Sequence, residues 1–585
     1  MKKADLPLLS FSALALTGLF YALLMAAGAP RAVCGLYAAS LALSSLSRLP
    51  GAAASLKNGR SGSPALTFCT RDELLKKVRK GREKNCLWLG RGFAWEQRHT
   101  ERLVSLYKEN GRFKGRGALP MGEGAIHAAG KEAGLWVPEA FLEGHTLIIG
   151  TTGAGKTRLF DLLISQRIAS GETVFIFDPK GDASLEGNAK ACCAECGRAG
   201  DFYAFHASRP AASFHINPLA DFTRVSEIAS RIAALMPGTS PNDPFRAFSW
   251  EALFKASRAM VYCGKAPSLK RLRDTLDGGL CGLAIETVAA CAGKYGAEPP
   301  GGEAGPSGAR RAAQFYREAV KPVHGSVPEV EGALSLFEHD AAHFSKMTAG
   351  LMPFLSMLAS GALGEALSPG AGKADEPVLT TSSLIDKNAV AYIGLDSLSD
   401  ALVGASLGSL LLADLTSAAG ARYASGALPE KAVHIFVDEA AEAANDPLIQ
   451  LLNKGRGAKF RAYLATQTIS DFSARLGKDK ALQLLGNLNN TIALRTIDPA
   501  TQLFLEKKLA STVTRSLTAT QGTASEAETL FGARASSSER LSEETSPLVP
   551  AYAFGQLPNL EFFASLAGGA LFKGRVPILK EKEPP

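Results

Sequence analysis

The 585-residue sequence contains no internal repeat, and its 58 glycines follow no triplet period, which excludes solenoid and collagen-like architectures. Cysteines are few and irregularly spaced. There are nine, an odd number, and they form no disulfide framework of the kind that staples small secreted domains. Their one cluster, Cys192, Cys193 and Cys196, lacks a second Cys/His pair at zinc-ribbon spacing and reads as helix packing. A net excess of positive charge is confined to one stretch: residues 48–116 hold 17 Lys/Arg against 6 Asp/Glu, so the net charge of +8 hides a slightly acidic remainder. That distribution argues against a protein basic over its whole surface. With 46% hydrophobic and 21% charged residues, the chain is neither disordered nor a polytopic membrane protein, and its length suits roughly two to four domains.

What is present begins at the amino terminus. Leu9 to Ala29 is an uncharged run of 21 residues, about 31 Å as a helix, which matches the hydrocarbon thickness of a bilayer. A cleaved signal peptide is the competing reading, since Lys2 and Lys3 precede the run and Ala27-Gly28-Ala29 has a small-x-small form. The run is long for a signal core, however, and cleavage would carry the nucleotide motif described next out of the ATP-containing compartment. Ala32 to Ser47 is a weaker apolar segment. A hairpin of the two spans keeps Lys2, Lys3 and the basic stretch from Arg48 on the cytosolic side, as the positive-inside rule prefers. The expected organisation is a transmembrane hairpin over 1–50 and a basic cytosolic segment over 51–135 that faces anionic lipid of the inner membrane.

His145-Thr-Leu-Ile-Ile leads into Gly150-Thr151-Thr152-Gly153-Ala154-Gly155-Lys156-Thr157. Strand, Gly-x4-Gly-Lys-Thr and amphipathic helix in that order form a P-loop, the glycines letting backbone N–H groups face the phosphates at a helix amino terminus. Lys156 is expected to reach the β- and γ-phosphates of ATP and Thr157 to hold Mg²⁺. A look-alike at Gly370-Ala-Gly372-Lys373 fails, because Leu367 replaces the first glycine, Ala374 replaces the hydroxyl, and prolines flank it. A second apolar strand, Ala432 to Val437, closes in Asp438-Glu439. Asp438 suits the Mg²⁺ shell and Glu439 the general base for the attacking water.

The strand Phe460 to Ala465 ends in Thr466-Gln467, which places Gln467 to sense the γ-phosphate or orient water. Before it, Asn453-Lys454-Gly455-Arg456-Gly457 is a basic loop with Arg456 as the best candidate for a finger acting on a neighbouring subunit; Arg461 and Arg495 are rivals. Thr173 to Phe177 is a further strand ending in Asp178-Pro-Lys-Gly-Asp182, where Asp178 either shapes the metal site or forms the turn.

Lys156 and Asp438 stand 282 residues apart, far more than a minimal P-loop core needs. Helical three-and-four spacing from Val225 to Leu367 predicts an all-α insertion over 225–367, dividing the nucleotide-binding domain into 136–224 and 368–585. His339 and His343 stand one helical turn apart within it, and capping or packing is preferred to metal binding. Between Ser511 and Ser546, 15 of 36 residues are Ser or Thr, and 511–546 is expected to be a mobile loop. Leu557 to Phe563 and Gly568 to Ile578 predict a final hairpin returning to the sheet.

Several phrases together resemble the type IV secretion coupling proteins of the TraD/TraG family, in the TraD branch of integrating conjugative elements. They are Leu89 to Thr100, Gly144 to Arg158, Phe177 to Asp182, His339 to Met347, Phe436 to Glu439, Gln467 and Leu557 to Ile578. The resemblance implies a RecA-like P-loop NTPase domain with a parallel-rich sheet, an all-α domain at the entry, and a membrane-anchored homo-hexamer. It further implies a coupling ATPase that passes single-stranded DNA with its relaxase to a type IV secretion channel. The alternative is an ATP-using receptor for secreted proteins that pumps no DNA.

Overall fold

The computed structural model describes residues 66–110, 126, 129–236, 243–299, 301, 304–370, 378–426, 431–525 and 533–580. The transmembrane hairpin expected over 1–50, residues 51–65 and 111–125 of the basic segment, and 371–373 of the P-loop look-alike lie outside the described residues.

The described strands, in chain order, are β1 Phe68–Thr70, β2 Cys86–Ala94, β3 Ala133–Pro138, β4 Thr146–Ile149, β5 Thr173–Asp178, β6 Phe202–His206, β7 Val390–Gly394, β8 Val433–Val437, β9 Phe460–Thr466, β10 Asn490–Ala493, β11 Ser511–Ser525, β12 Ala533–Pro547, β13 Glu561–Ser565, β14 Leu571–Arg575 and β15 Ile578–Lys580. An eleven-stranded sheet runs β3-β2-β14-β13-β10-β4-β9-β8-β5-β7-β6. From β10 to β6 every neighbour is parallel. The carboxyl-terminal hairpin β13–β14 joins antiparallel to β10 and carries the antiparallel pair β2–β3 at the far edge.

Alternation along the central strands sends side chains to two separate cores, as the two-residue period of a strand requires. Val174 and Ile176 of β5 face one core together with Phe436, Tyr463 and the P-loop helix Lys156–Ala169. Phe175, Phe177, Ile435 and Val437 face the other, which the helix Ala401–Ala424 covers. In the first core Phe160 meets Phe436 edge-on at 5.3 Å and Phe436 stacks on Tyr463 at 4.4 Å, contacts worth about 0.5–1.5 kcal/mol each beyond area burial. Helix Ala401–Ala424 is long and apolar enough to cross a membrane, but 67% of its most apolar window is buried inside this body, and core burial accounts for its composition.

The described elements between Ser226 and Leu367 are all helices. Pro244–Tyr262 starts where the Asp243 carboxylate accepts from Phe245 N–H at 3.0 Å and Pro244 presets the first turn, and it stops before Gly264, whose φ of +71° ends the helix. Ala284, Val288, Tyr316, Val330 and Leu334 form a small core of their own there. His339 and His343 do not share a helix. Asp340 caps Ala341–Thr348 by accepting from His343 N–H at 2.7 Å, so His339 precedes the helix and its ring meets His343 at 2.8 Å against Phe248.

The stretch predicted as a loop is a paired ribbon. β11 and β12 run antiparallel in unbroken register from Ser511↔Pro547 to Ser525↔Ala533. Thr-rich segments favour extended backbone without any apolar alternation, so the periodicity that signals a core-facing strand is absent while the ladder still forms. The base of the ribbon is fixed where the Leu548 carbonyl accepts from Trp95 Nε1–H at 3.0 Å and from the Thr100 hydroxyl at 2.7 Å.

Candidate nucleotide-binding site

β4 lies between β10 and β9, wholly buried, and delivers Gly150 to Thr157 at the carboxyl edge of the parallel strands. The loop needs its glycines. Gly153 and Gly155 have φ of +74° and +112°, and a Cβ on Gly155 would stand 2.7 Å from Leu560 Cδ2. Neighbouring backbone sets the loop's path: Thr151 N–H donates to the Arg495 carbonyl at 2.8 Å, and Leu560 N–H to that of Ala154 at 2.9 Å. Lys156 folds back so that Nζ donates to the Gly150 carbonyl at 2.8 Å. Burial lowers its pKa, with Glu439 and Asp438 opposing.

Beside the loop is a cleft of about 600 Å³ lined by Thr151 to Gly153, Gly155 to Arg158, Lys180, Asp182 and Asp438, together with Leu66, Thr67, Pro558 to Glu561, Arg575, Val576 and Ile578. Leu66 and Thr67 come in beside Val576 and Ile578 because β1 and β15 pair in parallel, Ile578 N–H donating to the Thr67 carbonyl at 2.8 Å.

Asp438 and Glu439 follow β8. Burial, then the Glu439 charge, raises the Asp438 pKa, against Lys156 and Lys180. The Asp438 carboxyl and the Thr157 hydroxyl line one cleft, and hard oxygen donors of this kind suit a divalent cation such as Mg²⁺. Glu439 has φ of +41°, unusual for a non-glycine residue. Its Oε1 accepts from Gln467 Nε2 at 2.9 Å and from Lys180 Nζ at 3.1 Å, and Gln467 Oε1 accepts from the Thr152 hydroxyl at 3.1 Å. Gln467 and Glu439, just past the ends of the neighbouring strands β9 and β8, thus meet although 28 residues separate them.

Asp178 is a turn former. Its oxygens accept from Lys180 N–H at 3.0 Å, Asp182 N–H at 2.7 Å and the Tyr392 hydroxyl at 2.8 Å, while β8 and β9 stand between β5 and the P-loop strand. Arg456 lies at the opposite edge of the sheet, 65% exposed and 3.6 Å from Glu143. Thr466 pairs with Ile149 next to the P-loop, and the strand back to Phe460 spans about 20 Å, so Arg456 cannot serve the site of its own chain. Arg461 is committed to a partly buried pair with Glu139 at 3.2 Å, and Arg495 is buried just behind the loop. Sequence patterns gave no role to Lys180 or to Leu560, Val576 and Ile578, which enter the cleft through turns and chain pairing that no local motif encodes.

A P-loop at the carboxyl edge of a parallel sheet, beside a strand closing in paired acids, is the construction of a RecA-like nucleotide-binding domain. Residues 432–559 match the family model described as the TraM recognition site of TraD and TraG. Residues 126–185 match the model of the central domain of the helicase HerA. Two solved structures of the bacterial conjugative coupling protein TrwBdeltaN70 are similar. The unbound monoclinic form is 13% identical with a TM-score of 0.50, covering 84% of this chain and 93% of that one. The trigonal form in complex with sulphate is 15% identical with the same TM-score, covering 84% and 94%. No curated protein matches the chain. At these identities the likeness shows a shared fold, and with the match at 432–559 it supports the resemblance to type IV secretion coupling proteins.

Proposed function

We propose that the chain is a conjugative coupling ATPase that links a relaxase–DNA complex to a type IV secretion channel and uses ATP hydrolysis to drive transfer. The observation that carries this is the convergence of Lys156, Thr157 and Asp438 on one cleft, within a fold shared with a coupling protein. Gly150 to Thr157 would wrap the phosphates through backbone N–H groups, Lys156 would bind β- and γ-oxygens, and Thr157 and Asp438 would hold Mg²⁺. Bound there, Mg²⁺ would neutralise charge on the phosphates. Glu439, with Oε1 tied by Gln467 and Lys180, would take the proton of the attacking water.

The remaining assignments belong to the same reading. Residues 1–50 anchor the protein in the bacterial inner membrane with the catalytic body in the cytoplasm, and a homo-hexamer supplies Arg456 from one subunit to the next. The helices of 225–367 meet substrate, and the Ser511–Pro547 ribbon belongs to the region matched as a TraM recognition site.

ATP hydrolysis by the full chain in detergent, with Lys156→Ala and Glu439→Gln as controls and single-stranded DNA across a salt series, tests the proposal. Stimulation by DNA that weakens with salt and disappears in both variants is expected, because the contacts are to phosphates. Hydrolysis indifferent to DNA but raised by a partner protein would replace the motor with a protein receptor.

A further inference from the structure

Lys180 is a cation on the cleft that neither the P-loop nor the acidic-strand motif supplies. Lys180 lies in the turn after β5, a turn braced by the two backbone bonds to Asp178 and by the Tyr392 hydroxyl beneath it. Gly181 continues that turn with φ of +65°. The backbone of Lys180 is therefore fixed, while its side chain is a flexible four-carbon stem, 48% exposed. Its Nζ begins a connected series of hydrogen bonds running Lys180, Glu439, Gln467, Thr152. Both ends of that series, Lys180 and Thr152, line the cleft. Lys156, Lys180, Asp438 and Glu439 all lie within electrostatic range of one another.

We propose that Lys180 reads the γ-phosphate: a nucleoside triphosphate draws its ammonium from Glu439 onto the terminal phosphate, and a diphosphate leaves it on Glu439. The inference rests on the nucleotide-binding reading given above. A half-exposed lysine–carboxylate pair holds weakly, whereas a terminal phosphate offers greater charge and three acceptor oxygens. The exchange also removes one of the two donors on Glu439 Oε1 and frees that carboxylate to meet water. Substrate thereby releases the base that activates the attacking water, and ADP does not. Burial works against the charge on Lys180, but the bond and charge of Glu439 outweigh it, so the lysine stays an ammonium ready for transfer.

Equilibrium binding of a non-hydrolysable ATP analogue and of ADP to the full chain in detergent tests this, comparing wild type with Lys180→Met and Lys180→Arg. Loss of one charge-assisted contact is expected to weaken the analogue about tenfold in Lys180→Met, with ADP affinity unchanged as an internal check of folding. Lys180→Arg keeps the preference for the triphosphate. Equal weakening of both nucleotides, or no weakening of either, overturns the proposal and leaves Lys180 as part of the fold or an idle surface pair. A wild-type chain that binds neither nucleotide sinks the underlying nucleotide-binding reading as well, and so is distinguishable from failure of this inference alone.

Discussion

Arg231 and Asp414 meet at 2.7 Å across the junction of the helical insertion and the nucleotide-binding body, 183 residues apart in sequence. Arg231, on helix Ser226–Ala233, also donates to the carbonyls of Pro218 and Asp221, and Asp414, on Ala401–Ala424, accepts from the Thr381 hydroxyl. Asp414 is fully buried, and burial raises its pKa to about 7 against the pull of Arg231.

Arg231→Ala leaves a buried carboxyl without its counter-ion and should cost about 3–5 kcal/mol. Denaturant unfolding would register it, with a smaller loss at pH 6 than at pH 8, because the orphaned carboxyl can take a proton. Arg231→Met combined with Asp414→Leu should be less destabilised than Arg231→Ala alone. A double variant at least as damaged as the single one would mean that packing, not charge pairing, holds this junction.

His145 sets a pH dependence. It is buried and accepts from Ala462 N–H through Nδ1 at 3.0 Å, and burial pushes its pKa down to about 4. A histidine depressed in the fold binds fewer protons than in the unfolded chain, so its contribution is complete above about pH 6.5 and is lost as pH falls toward 4, to a total of about 3 kcal/mol. His145→Asn should be less stable at pH 7.5 yet show a shallower decline between pH 6.5 and 4.5. Parallel stability curves for variant and wild type would remove His145 as the cause.

Arg456 stands about 20 Å of strand away from its own P-loop, on an exposed turn. Arg456→Ala and Lys156→Ala should each abolish hydrolysis alone. Mixed in equal amounts and allowed to exchange subunits, they should recover activity up to about a quarter of wild type, the share of interfaces that pair an intact P-loop with an intact arginine. No recovery, with exchange verified by a labelled subunit, would assign Arg456 a role within its own chain or none.

Much of the site was legible because its parts are local. A loop that wraps phosphate with backbone demands glycines and Lys-Thr at fixed spacing, and Gly150 to Thr157 carries that pattern. The acidic strand end at Asp438-Glu439 carries a similar local signature. Less visible was Asp178, whose neighbours in sequence fit both a metal site and a turn. Its oxygens are taken by Lys180 N–H, Asp182 N–H and the Tyr392 hydroxyl, and those bonds settle the turn. The Ser/Thr-rich ribbon was missed because ladder bonds are made by backbone, and backbone pairing by itself leaves no mark in side-chain period.

The sequence by itself determined the chemistry of the phosphate end and the helical character of the insertion, since glycine conformation, lysine charge and apolar spacing act over a few residues. Tertiary structure alone decided which distant groups share the cleft. Lys180 and Glu439 are 259 residues apart and meet because β5 and β8 are adjacent, and Leu66 reaches the cleft because β1 pairs with β15. Strand order is a property of the whole hydrogen-bonded sheet, and no local run of residues specifies it.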